Sequence, residues 1–188
     1  MTEESTVRDA SRRAGFFRYA SETLYRRAAA EWAPSGSDVP LRSKGKADAF
    51  GIFQLYNRIA PANVRAIEGA TFREWQAAQE KWGGRSHDLV LEEGGVITAW
   101  IRAVPGQIGR ISLMAEKGPY DDLLAAGLDL LQDRDVFCLV PDYNAELASA
   151  LERYAFEAVG SYMSFAKRLT REVGELATET SSNPVPVG

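Results

Sequence analysis

One cysteine and one histidine stand among 188 residues. A single thiol, Cys138, excludes an internal disulfide, and one Cys with one His leaves too few ligands for a structural zinc site. No dense block of Lys or Arg is present. The 22 basic residues are outnumbered by 26 acidic ones, for a net charge of −4, so the footprint of a nucleic-acid binder is missing. No apolar run reaches membrane-spanning length, and Met1-Thr2-Glu3-Glu4 has neither the basic nor the apolar region of a secretory leader. The expectation is a cytoplasmic protein with no nucleic-acid or membrane partner and no metal. The 45% of hydrophobic residues is what a globular chain needs to bury a core, and the length suits one ordinary domain with some excess.

Residues 31–40, EWAPSGSDVP, carry two prolines, a glycine and two serines and read as a linker. A short strand is expected at 39–43. In KADAFGIFQLYNRIA (46–60), Ile52, Leu55, Tyr56 and Ile59 recur at helical spacing, so an amphipathic helix ending at Pro61 is expected. Residues 62–82 read as a second helix, or two short ones broken near Gly69. The period then changes to two. HDLVLEEGGVITAWIRAV (87–104) reads as a hairpin around Glu93-Gly94-Gly95, with a third strand at 107–115. A helix is expected at 119–132 with Pro119 in its first turn and Leu124, Leu128 and Leu131 on one face. DVFCLV (135–140) is apolar throughout, as in a strand buried on both faces. It must run parallel to the strand before that helix. A helix at 144–154, with Leu147, Leu151 and Tyr154 on one stripe, precedes a strand at 156–169 that bends at Gly160. The tail is expected to be disordered. Cys138 reads as a packed core thiol, and His87 as a surface residue at a strand start.

An echo runs through the chain. Shifting the segment RRAGFFRYASETLYRR (12–27) by 140 residues matches Arg13 with Arg153, Phe16 with Phe156 and Ser21 with Ser161. Gly15/Ala155, Tyr25/Phe165 and Arg27/Lys167 are similar pairs. Short matches also arise by chance, but this offset is close to the length of the 39–169 unit, which is what a tandem duplication leaves. Residues 1–32 then read as the closing helix and strand of a preceding copy. Phe17–Arg27 is expected as a strand on the edge of this domain's sheet or of a partner's.

The order β-α-α-β-β-β-α-β-α-β over 39–169, with an Asn and a small-Phe pair spaced along the last helix, resembles the GNAT acyltransferase superfamily. The resemblance implies an α/β (α+β) fold, with a mixed, mostly antiparallel twisted sheet and helices on both faces. The GNAT-like domain would span 33–173, ahead of a tail at 174–188, as the second copy of a tandem with degenerate motifs. It also implies acetyl-CoA, or another acyl-CoA, held between the fourth strand and the following helix. A Q/R-x-x-G-x-G/A loop there offers amides to the pyrophosphate. The residues matching that region are Leu113, Met114, Ala115, Lys117, Gly118 and Tyr120. Ala115 stands where the family has Gln or Arg, and Tyr120 where it has a second small residue. Pro119 removes an amide donor, and Asp121 and Asp122 place carboxylates where a phosphate would meet repulsion.

The family's last-helix pattern, N-x-x-A-x-x-x-Y-x-x-x-G-F, begins here at Asn144, expected near the pantetheine arm, and closes at Ala155-Phe156. Leu151 occupies the position of the acid tyrosine and cannot donate a proton. Tyr154 is the candidate acid, with Tyr143 a weaker substitute, and Glu116 is the candidate base. Glu68 and Glu74 are expected to face an acceptor groove or to be ordinary surface acids. Two functions follow from the resemblance: acyl transfer from acyl-CoA to a small-molecule or peptide amine, or a catalytically degenerate domain used for packing, dimerisation or ligand binding. A homodimer or intra-tandem contact through the N-terminal strand is the expected assembly.

Overall fold

The computed structural model describes residues 3–29, 36–79 and 85–167. The tail expected at 174–188 and half of the linker expected at 31–40 lie outside them. The chain divides into two compact units, Phe17–Ala166 and the two terminal segments beyond it. In the terminal unit, helix α1 (Glu3–Arg13) ends at Gly15, whose φ is +83°, a left-handed conformation that glycine adopts without a side-chain clash. There the Phe16 N–H bonds back to the Ser11 carbonyl, and Gly15 N–H to Arg12.

The larger unit holds β1 (Phe17–Arg27), β2 (Arg42–Ser43), α2 (Asp48–Ile59), α3 (Ala62–Glu68), α4 (Phe72–Ala78), β3 (His87–Glu93), β4 (Val96–Val104), β5 (Gly109–Ala115), α5 (Tyr120–Asp129), β6 (Val136–Pro141), α6 (Ala145–Arg153) and β7 (Glu157–Ala166). The strands form one sheet in the order β2-β3-β4-β5-β6-β1-β7. Only β5 and β6 are parallel; the other pairs are antiparallel.

Local chemistry explains the element ends. Ala60 turns extended ahead of Pro61 and stops α2. The break between α3 and α4 falls at Gly69, where a Cβ would lie 2.6 Å from the Trp75 Cα. Thr71 and Glu74 then restart the helix with a reciprocal capping box. Gly94 and Gly95, at φ +58° and +78°, make the tight hairpin turn between β3 and β4.

Two apolar layers clamp the sheet. Ala99, Ile101, Ala103, Ile111 and Leu113 meet Leu123, Leu124, Leu128, Leu147 and Leu151 of α5 and α6. On the opposite face Val90, Ile97 and Trp100 meet Ile52, Phe53, Leu55, Tyr56 and Trp75. Each fully buried leucine contributes roughly 1.5–3 kcal/mol through the hydrophobic effect.

Three expectations change. β6 is fully buried on one face only: Val136, Cys138 and Val140 are buried, whereas on the other face Phe137 and Pro141 are partly covered and Leu139 is 42% exposed, because the second layer draws its strand residues from β3, β4 and β5. The strand expected at 39–43 contracts to Arg42–Ser43. Phe17–Arg27 is a strand, but an interior one, hydrogen-bonded to β6 on one side and to β7 on the other. Ala20 and Tyr25 are buried in it, whereas no residue of β7 is, so β7 takes the edge.

β1 and β7 pair antiparallel, and any antiparallel register maps onto itself, so the 140-residue spacing shows only in where the ladder is irregular. Phe17↔Ala166 maps onto Arg26↔Glu157, Arg18↔Phe165 onto Tyr25↔Ala158, and Ser21↔Met163 onto Thr23↔Ser161, while Glu22↔Tyr162 maps onto itself. The residues skipped at the two irregularities, Tyr19 and Val159, are one shift apart as well. The bend expected at Gly160 is therefore a bulge at its neighbour.

Candidate functional site

β5 and β6 pair only through Gly109↔Val136, Arg110↔Phe137 and Ile111↔Cys138, although both strands run on. Their C-terminal ends are left without mutual hydrogen bonds, and the candidate site lies there. β5 ends at Ala115, and the chain turns through Lys117, at φ +53°, and Gly118 into α5.

The first residue of α5 fills the gap. Tyr120 is 5% exposed, and its hydroxyl lies 3.1 Å from the Ala115 carbonyl and 3.1 Å from Asn144 Oδ1. Asn144 Oδ1 also accepts the Leu147 N–H at 3.1 Å, which fixes the amide's orientation as the cap of α6. The tyrosine's one proton is thus shared between two acceptors, one at the end of β5 and one just beyond β6. Burial raises the Tyr120 pKa, opposed by the hydrogen bonds to Asn144 and Ala115. Leu113 and Ala115 are buried in the α5/α6 layer, and Met114 packs on the opposite one.

Outside this crossbar lies a pocket of about 400 Å³ lined by Gly118, Tyr120, Asp121, Glu146, Ser149 and Arg153, with Ala145. Arg153 donates to both Asp121 oxygens at 2.9 Å, and Asp122 Oδ1 accepts the Asp38 N–H. Tyr154 donates its hydroxyl to the Asp121 carbonyl at 3.0 Å. Its pKa is raised by burial first and by Asp121 and Asp122 second. Leu151 is fully buried in the core. Glu116 accepts Arg58 Nε at 2.5 Å, and the same guanidinium donates to the Ile97 carbonyl, so this candidate base is held in an ion pair.

On the other face of the sheet is a cluster that sequence reasoning divided among separate elements. Glu68 accepts Tyr56 Oη at 3.0 Å and Tyr19 Oη at 3.2 Å. Burial foremost, then the Glu68 charge, raises the pKa values of Tyr19, Tyr56 and half-buried Tyr143. Glu74, by contrast, has its carboxylate engaged as the capping-box partner of Thr71. The signal for that was legible in T-x-x-E. His87 opens β3 opposite Ala103. Cys138 is buried, which pushes its thiol up to about 12 and leaves it unreactive. Among the described residues there is no group of three or more potential metal ligands and no helix long and apolar enough to cross a membrane.

Neither a scan of protein-family models nor a search of the curated proteins finds a match. Solved structures do match. A GCN5-related N-acetyltransferase from Anabaena variabilis superposes with a TM-score of 0.58 at 12% identity over 84% of this chain and 42% of its own. A GNAT-family acetyltransferase from Novosphingobium aromaticivorans gives 0.52 at 14% over 82% and 69%. Saccharomyces cerevisiae N-myristoyltransferase, solved with myristoyl-CoA, gives 0.53 at 12% over 85% and 55%. The chain thus has the GNAT, or acyl-CoA N-acyltransferase, fold, and spans only part of each of these neighbours.

Acyl-CoA would have to enter the gap between β5 and β6, and the residues there do not fit it. Tyr120 bridges the two strand ends, Pro119 offers no N–H, and the adjoining pocket is lined by the carboxylates of Glu146 and of Asp121, whose charge Arg153 already pairs.

Proposed function

We propose that this chain is a GNAT-fold domain whose coenzyme groove is filled by its own side chains, and that it serves in binding and assembly. The observation carrying this reading is the Tyr120 hydroxyl bridging Ala115 and Asn144. Leu151, buried at the acid position, and Tyr154, committed to the Asp121 carbonyl, support it.

Thermal-shift titration with acetyl-CoA is the test. A ligand specific for the folded state, at a hundred times its dissociation constant, stabilises by about 2.7 kcal/mol. The expected result is an unmoved midpoint at millimolar acetyl-CoA. A saturable rise would overturn the proposal.

A second reading, N-acyl transfer from acyl-CoA to a small-molecule or peptide amine, is favoured by one feature. Glu68, with Tyr19 and Tyr56, presents a carboxylate and phenols suited to holding an ammonium group. The acetyl-CoA titration separates the two, because transfer needs a coenzyme that binds.

A further inference from the structure

Arg65 stands one turn ahead of Glu68 in the last turn of α3. Its guanidinium makes no hydrogen bond and no ion pair among the described residues. The residue is partly exposed, yet its Nε is shut off from solvent with nothing to donate to. A basic side chain in a last turn ordinarily serves the helix dipole from solvent. A charged donor buried without an acceptor is costly, and in a folded chain it points to an acceptor still to come. For a guanidinium that acceptor is an anion whose oxygens fit its fork, a carboxylate or a phosphate.

Glu68 is the reverse case. Its oxygens accept Tyr19 Oη at 3.2 Å and Tyr56 Oη at 3.0 Å. Both donors are neutral, so among the described residues no cation answers the carboxylate, and each oxygen keeps acceptor capacity. The charges of Glu68, Glu22 and Asp142 all raise the pKa of Tyr143, after burial, so the surroundings are negative. Residues three apart on a helix have Cβ atoms about 5–6 Å from each other, yet Arg65 and Glu68 form no ion pair. Gly69 N–H closes the turn on the Arg65 carbonyl, and Gly69 itself sits against Trp75, so both side chains leave a backbone held to α4.

One turn therefore offers a carboxylate that only neutral phenols engage beside a guanidinium that nothing engages. We propose that it binds an α-amino acid, with the ammonium on Glu68 and the carboxylate on Arg65. A plain amine would leave Arg65 Nε orphaned, and a plain acid would leave Glu68 unanswered. A phosphate suits Arg65 alone and is repelled by the carboxylates around Glu68. The proposal rests on the ammonium site of the second reading above and names its ligand class. It involves no coenzyme, so a failed acetyl-CoA titration leaves it standing, and its own failure leaves the acetyl-CoA result unchanged.

The test is a thermal-shift titration of the full chain with each proteinogenic L-amino acid at millimolar concentration. Any that binds is followed by its decarboxylated amine and its deaminated acid. At least one amino acid is expected to raise the midpoint saturably. Its amine and its acid should each bind about tenfold more weakly or worse, the loss of one charge-assisted hydrogen bond. Arg65→Met is expected to bring the amino acid down to the affinity of its amine and to leave the amine where it was. Arg65→Lys, which keeps the charge without the fork, should fall between. No shift with any amino acid would overturn the proposal, as would an amine that binds as well as its amino acid. Both comparisons use the unsubstituted chain and stand even where a variant fails to fold. Inorganic phosphate is the control: an equal shift with phosphate, abolished in Arg65→Met, would mean a site for anions alone and would overturn the amino acid as ligand.

Discussion

The Tyr120 hydroxyl and Asn144 Oδ1 stand 3.1 Å apart, the donor on the first residue of α5 and the acceptor capping α6. The bond ties together two helix starts that follow adjacent parallel strands. It does so where those strands have stopped pairing. In the proposed reading, this crossbar fills the groove of the GNAT fold. The groove's backbone acceptor, the Ala115 carbonyl, is engaged from within.

Tyr120→Phe keeps the buried ring and removes the shared proton. The Ala115 carbonyl loses this donor, and Asn144 keeps only its cap bond. Leaving a buried acceptor unsatisfied costs about 1–3 kcal/mol. Urea unfolding should show a lower midpoint with an unchanged slope. An unaltered midpoint would mean that the crossbar contributes nothing to holding the groove shut.

Glu68→Gln tests the tyrosine cluster. Burial is the leading cause of the raised Tyr56 pKa, followed by the Glu68 charge and its hydrogen bond. Removing the charge leaves the first cause and abolishes the second. Tyrosinate absorbance should show Tyr56 titrating at lower pH than in the parent, yet still above the ordinary tyrosine value of about 10. No displacement of the titration would show that Glu68 and Tyr56 are not coupled in solution.

Much of the fold was legible because its determinants are local. The stripe Ile52-Leu55-Tyr56, the Glu93-Gly94-Gly95 turn and the leucines of α5 each declare an element within one or two turns of chain. The parallel β5–β6 pair followed from the crossover rule. What failed depends on non-local competition. Whether Phe17–Arg27 lies inside the sheet or at its edge is decided against β7, more than a hundred residues away, and periodicity carries no such comparison. At the site, Tyr120 could be read as an intruder in a phosphate loop, but not as a residue rotated inward onto Asn144. Glu68 could be noticed alone, whereas its partners Tyr19 and Tyr56 come from a strand and a helix that only folding brings together.

Gly69→Ala should be among the costlier glycine substitutions in the chain. Its Cβ would meet the Trp75 Cα at 2.6 Å and the Trp75 nitrogen at 2.7 Å, and backbone atoms cannot rotate away. Forcing such an overlap costs about 1–3 kcal/mol or more through displaced packing. Here it would push α4, with its buried Trp75, off α2. Gly94→Ala is the comparison: nothing lies within 4 Å, so only the left-handed backbone at φ +58° resists, about 1–2 kcal/mol. Chemical denaturation of both should place Gly69→Ala below Gly94→Ala. The reverse order would mean that the α3–α4 junction yields freely.

Stability should fall at both ends of the pH scale, for opposite reasons. Asp48 receives two Arg42 hydrogen bonds, the larger cause, and the Gly45 N–H, and its pKa drops from 3.8 to about 2. A depressed folded pKa means that the unfolded chain binds the proton first. The contribution is present above about pH 4 and is lost as pH falls through about 2. Cys138 is the converse. Burial raises its thiol from 9.0 to about 12, so its contribution is complete below pH 9.0 and disappears as pH climbs toward 12. The buried tyrosines act in the same direction. Asp48→Asn should flatten the acid limb between pH 4 and 2 and leave the alkaline limb in place, while Cys138→Ala should do the reverse in part, because Tyr56 and Tyr143 still resist ionisation. Unfolding midpoints recorded across pH for the parent and both variants check this, and an acid limb unchanged in Asp48→Asn would remove the Arg42 ion pair from the account.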